Sequence, residues 1–199
     1  MKTLRPSRTD EIKVLKYLRS YECPENRSPM DLLYYYLGDS ALLFTRYLGT
    51  PALSYRHLSR HLTSIVRQFL EGVAFIHSMS VAHKDLKSSH VIIDEDVKVW
   101  IIDYDLSEII EEDNRIKSGF RGTKGWTAPE VGRRPYDPFL ADVWATGKVI
   151  RQLCDKCVDH QDCAFLKAVS TKLMKRNPKK RITIQEALEQ VQDITLAHR

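Results

Sequence analysis

Residues 81–94 read V-A-H-K-D-L-K-S-S-H-V-I-I-D. Three further patterns follow in order: I-I-D-Y-D at 101–105, G-T-K-G-W-T-A-P-E at 122–130 and A-D-V-W-A-T-G at 141–147, with P-K-K-R-I-T behind them at 178–183. Each alone is weak, because strings this short arise by chance. Order and spacing carry more: 18 residues separate Asp85 from Asp103, and 12 separate Glu130 from Asp142.

Upstream, Ser54 to Met79 holds Leu62, Ile65, Val66, Phe69, Leu70, Val73 and Ile76 at core spacing and predicts the longest helix. Before it, residues 10–19 place Ile12, Leu15 and Leu18 on one stripe, with Asp10 near the helix start. Pro24, Asn26, Ser28 and Pro29 mark a loop. Leu32–Leu37 and Ala41–Leu48 predict strands joined by a Gly38-Asp39 turn, and Gly49, Thr50 and Pro51 break the pattern. Downstream, Val91–Asp94 and Val97–Asp103 predict short β segments around the acidic turn 94–96. A polar, glycine-bearing loop is expected over 104–127, and helices over Ala141–Leu153, Ala164–Lys175 and Ile184–Ile194. Few strands at one end and helices over the rest predict a mainly helical α+β chain.

The ordered series resembles the eukaryotic protein kinases, in their catalytic-loop, metal-loop, activation-segment and anchor-helix motifs, over about residues 10–195. The resemblance implies a protein-kinase-like α+β fold. A remnant of the N-terminal lobe would cover 1–50 (mobile helix, two strands and hinge), and the helical C-terminal lobe 51–199. Phosphoryl transfer depends mostly on positioning and on neutralising charge on the transferring group. In the family's terms, Asp85 matches the carboxylate that accepts or orients the substrate hydroxyl, Lys87 the cation that steadies the phosphate, and Asp103 the acid that holds magnesium. Lys87 with Thr123 is similar to the serine/threonine-directed members. Glu130 resembles the acid that pairs with a late arginine, here Arg181. Asp142 resembles the helix-borne acid that holds the catalytic-loop backbone, His83 the histidine packed beneath that loop, and Glu11 the mobile-helix glutamate.

Several positions depart from the family. His90 stands where the second metal ligand is usually asparagine, and magnesium prefers oxygen ligands. Asp105 stands where the family has glycine, adding negative charge beside the expected phosphates or, less in keeping with that charge, an extra metal oxygen. Lys84 replaces the arginine of His-Arg-Asp and lacks its bidentate fork, so coupling to a phosphorylated segment is expected to be weaker. Ser118, Thr123 and Thr127 lie in that segment. The first glycine is Gly38, so no glycine-rich hairpin precedes the first helix; Gly119, Gly122 and Gly125 lie far downstream. Lys2 is nine residues before Glu11, which reads as too close for a strand, a turn and a helix start. Glu11 is therefore expected to lack a partner. A short link near Asp155–Ala164 omits a further helix and the docking loops usual there.

Two functions are weighed. In the first, the chain is a catalytically impaired, pseudokinase-like module that binds or scaffolds a protein partner. Apolar surface around Leu42–Leu48 and Val97–Ile102, uncovered by the missing lobe, would seek that partner. In the second, it is an ATP-dependent serine/threonine kinase using Asp85, Lys87 and Asp103, with ATP and magnesium as cofactors, completed by an N-terminal lobe from a longer chain or another protein.

Composition sets the remaining bounds. Hydrophobic residues at 43% and charged residues at 29% of 199 predict a buried core rather than disorder. A net charge of +5 is mildly basic and no nucleic-acid signature. The basic run Lys172–Arg181 reads as a solvated helix end and turn. The N-terminus lacks a secretory apolar region, and no apolar run approaches membrane-spanning length, so an intracellular protein of cytoplasm or nucleus is expected. Cys154, Cys157, His160 and Cys163 cluster in sequence and could hold zinc. Their spacing is tighter than in common zinc modules and no second C-x-x-C exists, so free thiols at a helix end and loop are expected instead.

Overall fold

The computed structural model describes residues 2–4, 9–29, 32–37, 40–45 and 48–197. Its first element is a strand, β1 (Lys2–Leu4), followed by helix α1 (Thr9–Arg19) and strands β2 (Leu32–Leu37) and β3 (Ser40–Thr45). β3 lies between the other two strands and is antiparallel to both, with Lys2 opposite Leu43 and Leu43 opposite Tyr34. The expectation that Lys2 stands too close to Glu11 for an intervening strand is thus corrected. Three residues are enough to pair, because β3 supplies a ready edge. The predicted Gly38-Asp39 turn lies outside the described residues, as do the side chains of residues 42–47, where part of the expected apolar surface was placed.

Helix α1 turns Glu11, Ile12, Val14, Leu15 and Leu18 inward. After β4 (Thr50–Pro51) a short 3-10 turn over Ala52–Ser54 intervenes, so the long helix α2 (Leu58–Ser78) starts four residues later than its periodicity suggests. Leu62, Ile65, Val66, Phe69, Leu70, Val73 and Ile76 on α2 are fully buried and form the centre of the core. Strands β5 (Val81–Ala82), β6 (Val91–Ile93), β7 (Val99–Ile101) and β8 (Glu108–Ile109) are short and antiparallel, in the orders β4-β6-β7 and β5-β8. Two of them, β5 and β8, were not legible from the sequence; β8 sits inside the expected long loop.

β7 is shorter than the expected Val97–Asp103 segment. Val97 and Asp103 have φ of 60° and 66°, left-handed values that end a strand on both sides. The apolar surface expected around Val97–Ile102 is also corrected: Val99 and Ile101 are fully buried, and Val97, Trp100 and Ile102 are half-buried. The cause is local, since β7 pairs with β6 and lies against α2. Trp100 further donates its indole N–H to Asp94 Oδ2 at 2.9 Å, with Lys98 over its ring.

The anchor helix α3 (Pro138–Lys156) exceeds its expected span because Asp137 caps it, accepting from Phe139 N at 2.9 Å, and Pro138 occupies the first turn. Residues 157–162 link it to α4 (Cys163–Leu173), and α5 (Ile184–Ala197) closes the described chain. Helices α3 and α4 touch closely at Gly147, where an added Cβ would lie 2.7 Å from Met174 Cγ and 2.8 Å from Leu173 Cβ. Buried residues of α1 to α5 and of β5 to β7 join one hydrophobic cluster. Its polar edge faces the loop between β5 and β6, where the residues singled out above converge.

Candidate active site

The loop from His83 to His90 is held from below by one carboxylate. Asp142, buried on α3, accepts from His83 N at 2.7 Å through Oδ2 and from Lys84 N at 2.8 Å through Oδ1. Lys84 has φ of 63°, a conformation that costs a non-glycine residue roughly 1–3 kcal/mol and persists only when neighbours impose it. His83 is fully buried, with Nε2 3.1 Å from Ile102 O and its ring 4.8 Å from that of Tyr104. Burial holds its pKa below the usual histidine value, opposed by the nearby Asp142 charge, which fits a neutral packing histidine.

On this platform Asp85, Lys87 and Thr123 meet. Lys87 Nζ donates to Asp85 Oδ2 at 2.9 Å and to Thr123 Oγ1 at 2.8 Å, while Asp85 Oδ1 accepts from Thr123 N at 2.7 Å. The segment carrying Thr123 can come this close because Gly122 has φ of 112° and a Cβ there would stand 2.8 Å from Lys84 O. A carboxylate, an ammonium and a hydroxyl thus share one half-buried point. Such a group can orient an incoming hydroxyl and counter charge on what is transferred to it.

The other half of the site is built around Asp103, whose side chain is 30% exposed. His90 Nε2 stands 2.9 Å from Asp103 Oδ2, and His90 Nδ1 stands 3.0 Å from the carbonyl oxygen of Asp85. Among the described residues two groups have ligand atoms close enough to share an ion: Asp85, His90 and Asp103; and Glu11, Asp103 and Asp105. Asp105 is therefore gathered with the other acids rather than turned away. Glu11, expected to lack a partner, accepts from Tyr104 N at 3.1 Å. This correction has a simple origin: α1 packs its buried face, glutamate included, onto the backbone just after Asp103.

Three further features frame the site. Glu108 on β8 bridges Lys84 Nζ and Lys117 Nζ, each at 2.7 Å. Partial burial pushes its carboxyl up, but hydrogen bonds and charge from Lys117 and Lys84 outweigh that and hold it below the usual range. No sequence motif pointed to Glu108 or Lys117, which come together only through strand pairing of β5 with β8 and a bridge between Lys117 and Tyr136. Glu130 and Arg181 form a buried two-pronged pair at 2.6 and 2.9 Å, and Arg181 also donates to Leu140 O and Lys175 O. Cys154, Cys157 and Cys163 are buried, and Cys163 Sγ donates to Cys154 O at 3.4 Å. Burial pushes the Cys154 thiol up to about 12, which disfavours the thiolate that zinc requires. The cysteines and His160 are not among the ligand groups gathered within the described residues.

With this geometry in place, comparison with known proteins is direct. The protein kinase domain family matches residues 10–170. The chain belongs to the protein kinase family. Several of the kinases it resembles are named serine/threonine-protein kinases. A stretch of 83 residues is 39% identical to serine/threonine-protein kinase ppk8 of Schizosaccharomyces pombe, covering 39% of this chain and 16% of that protein. A longer stretch of 158 residues is 32% identical to calcium/calmodulin-dependent protein kinase type 1 of Caenorhabditis briggsae, covering 75% of this chain and 42% of that one. The SNF1-related protein kinase catalytic subunit alpha KIN12 of Arabidopsis thaliana is 28% identical over 150 residues, 72% of this chain and 29% of its own length. The chain spans less than half the length of these relatives. The family uses ATP and magnesium, so the fit of this kinase site to magnesium matters. Asp103 fits as an oxygen ligand. His90 does not, because it offers an imidazole nitrogen where magnesium prefers an oxygen donor. No helix among the described residues is long and apolar enough to cross a membrane.

Proposed function

We propose that this chain is a serine/threonine-type kinase domain that keeps the hydroxyl-orienting half of its site and has lost the magnesium-holding half. Magnesium-dependent transfer is impaired, and the domain works by binding a protein. One observation carries this reading: His90 Nε2 lies 2.9 Å from Asp103 Oδ2, so the acid that would grip magnesium is engaged by a nitrogen. Asp105 adds a second negative charge where a nucleotide's phosphates would lie. The binding role is supported by Ile116 and Phe120, apolar side chains 59% and 53% exposed on the segment facing Asp85. A division near residue 50 goes with this reading, as does a reducing intracellular location, cytoplasm or nucleus, in which the buried thiols stay unpaired.

Calorimetry of magnesium-ATP binding to the purified chain, with Asp103→Asn alongside, tests it. No magnesium-dependent binding at millimolar ATP is expected. Micromolar binding that Asp103→Asn abolishes overturns the reading.

A second reading has its own support. In an active ATP-dependent serine/threonine kinase, Asp85 and Lys87 would serve the hydroxyl, Asp103 the metal and Lys2 the phosphates. The contacts among Asp85, Lys87 and Thr123 favour it, as does the placement of Lys2 on the strand directly before α1. Transfer from magnesium-ATP to a serine peptide, lost in Lys2→Met, decides for it.

A further inference from the structure

We infer that two basic turns, brought together by the Glu130–Arg181 pair, form a docking face for an acidic segment of another protein, a run of aspartates and glutamates carrying an apolar residue. The inference rests on the reading of the chain as a protein-binding domain and adds the chemistry of the partner.

Charge is spread unevenly along the chain. Residues 114–136 and 163–185 hold thirteen of its 31 lysines and arginines but only one of its 26 acids, so these 46 residues carry +12 and the other 153 carry −7. The single acid is Glu130, which is buried against Arg181. Arg115, Lys117 and Lys167 are paired with Asp137, Glu108 and Asp155. The other nine cations are exposed and form no ion pair among the described residues.

By itself the basic run 172–181 reads as a solvated helix end and turn, but the fold sets a second basic turn against it. Arg133 N and Arg134 N donate to Glu130 O at 3.1 and 3.3 Å. The Glu130 carboxylate accepts both prongs of Arg181. Arg181 in turn donates from Nε to Lys175 O at 2.9 Å and from its backbone N to Pro178 O at 3.1 Å. Arg133 and Arg134 on one turn, and Lys175, Arg176, Lys179 and Lys180 on the other, thus lie within a few residues of one buried ion pair. Clustered like charges repel one another in the free protein, and a partner that supplies carboxylates relieves that repulsion. The pair holds both turns in place beforehand, so little backbone freedom is left to lose on binding.

Two observations favour a protein segment over a nucleic acid. Phe120, 53% exposed, lies against Gly132, where an added Cβ would stand 3.1 Å from the Phe120 Cβ and Cδ2, so an exposed aromatic ring sits beside the turn of Arg133 and Arg134. Aromatic residues and arginine are the side chains enriched where protein interfaces concentrate their binding energy. The remainder of the chain, at −7, repels a polyanion as long as a duplex far more than a short acidic segment.

Fluorescence anisotropy of a labelled peptide of aspartates and glutamates around two leucines, added to the full chain, tests the inference. The same peptide with asparagine and glutamine in place of the acids is its control. Expected is saturable binding of the acidic peptide alone, weakening by more than about tenfold between about 0.05 and about 0.3 M salt as the charges are screened. Arg133→Glu/Arg134→Glu and Lys179→Glu/Lys180→Glu, one double change in each turn, should each weaken binding by at least about tenfold, because they set like charge against the carboxylates. Arg56→Glu/Arg60→Glu makes the same change of charge on exposed residues around the start of α2 and should shift the affinity by less than about threefold, since salt confines a surface charge to about 8 Å. Circular dichroism checks that all three variants fold. No binding of the acidic peptide, equal weakening by all three variants, or loss confined to one turn each overturns the inference. Tighter binding of a short DNA duplex or of phosphatidylserine vesicles overturns it too, as does sedimentation showing a second copy of the chain held by this face. The functional reading fails separately. Magnesium-ATP binding that Asp103→Asn abolishes would refute impairment and leave the peptide result intact, whereas absent peptide binding removes the acidic partner whatever the calorimetry shows.

Discussion

Replacing Asp142 by asparagine should destabilise the chain far more than a one-atom change suggests. The carboxylate is buried, and each of its oxygens accepts a backbone N–H, from His83 at 2.7 Å and Lys84 at 2.8 Å. An asparagine can keep one of these bonds but must turn an NH2 toward the other N–H, setting donor against donor. A hydrogen bond to a charged group contributes about 1.5–3 kcal/mol, and a buried donor left unsatisfied costs about 1–3 kcal/mol. Part of the loss returns if Lys84 relaxes from its left-handed backbone. Together these give a net loss of about 3–5 kcal/mol. With a urea dependence of about 2–3 kcal/mol per molar for a domain of this size, the unfolding midpoint should drop by about 1–2.5 M. Circular dichroism in urea measures that shift, and hydrogen exchange at the His83 and Lys84 amides shows whether loss is local to the loop. Asp159→Asn, on an exposed residue, is the control and should leave the midpoint in place. A midpoint shift for Asp142→Asn no larger than the control's, with both amides still protected, would refute the claim that this carboxylate holds the loop.

Other outcomes follow from the same geometry. Glu130→Ala leaves the Arg181 guanidinium buried with two carbonyl partners among the described residues and should cost about 3–5 kcal/mol in denaturant unfolding; a cost below about 1 kcal/mol would mean the pair is not buried as described. Tyr104→Phe should raise the melting temperature, since the buried Tyr104 hydroxyl has no hydrogen-bond partner among the described residues, and its removal is worth about 1 kcal/mol. Because the carboxyl of Glu108 is depressed in the folded state, its stabilisation is present above the ordinary glutamate pKa and is lost as pH falls through the folded value. The melting-temperature gap between wild type and Glu108→Gln should therefore be open at pH 6 and narrow as pH falls below the ordinary glutamate range. A gap that is constant with pH contradicts the ion-pair account. Thiol labelling of the native protein at pH 8 should modify Cys23 quickly and the three buried cysteines only after denaturation, when all four react.

The strand β1 changes how the first residues bear on function. From spacing alone Lys2 seemed unable to serve the site, because a strand, a turn and a helix start were assumed to need more chain. Pairing with β3 removes that objection, since a strand of three residues gains its hydrogen bonds from a neighbour 40 residues away. The proposed impairment then rests on His90 and Asp105 alone.

The amino-acid sequence by itself determined the family, the order of the helices and the positions of the family's motifs. Periodicity exposes a helix such as α2, and motif spacing exposes Asp85, Asp103, Glu130 and Asp142, because both signals are local or rest on fixed distances along the chain. Element ends were poorly legible: α3 starts three residues before its expected Ala141 despite the Asp137 cap and Pro138, and α2 and β7 were misjudged where a 3-10 turn or a left-handed residue intervenes. What the tertiary structure alone decided is which side chains meet. Glu11 reaches the Tyr104 backbone across 93 residues, Glu108 reaches two lysines, and the His90 imidazole turns one nitrogen to a carbonyl and the other to Asp103. A substitution of asparagine by histidine reads in the sequence as a lost oxygen. Only the packed loop sets the His90 ring between the Asp85 carbonyl and the Asp103 carboxylate.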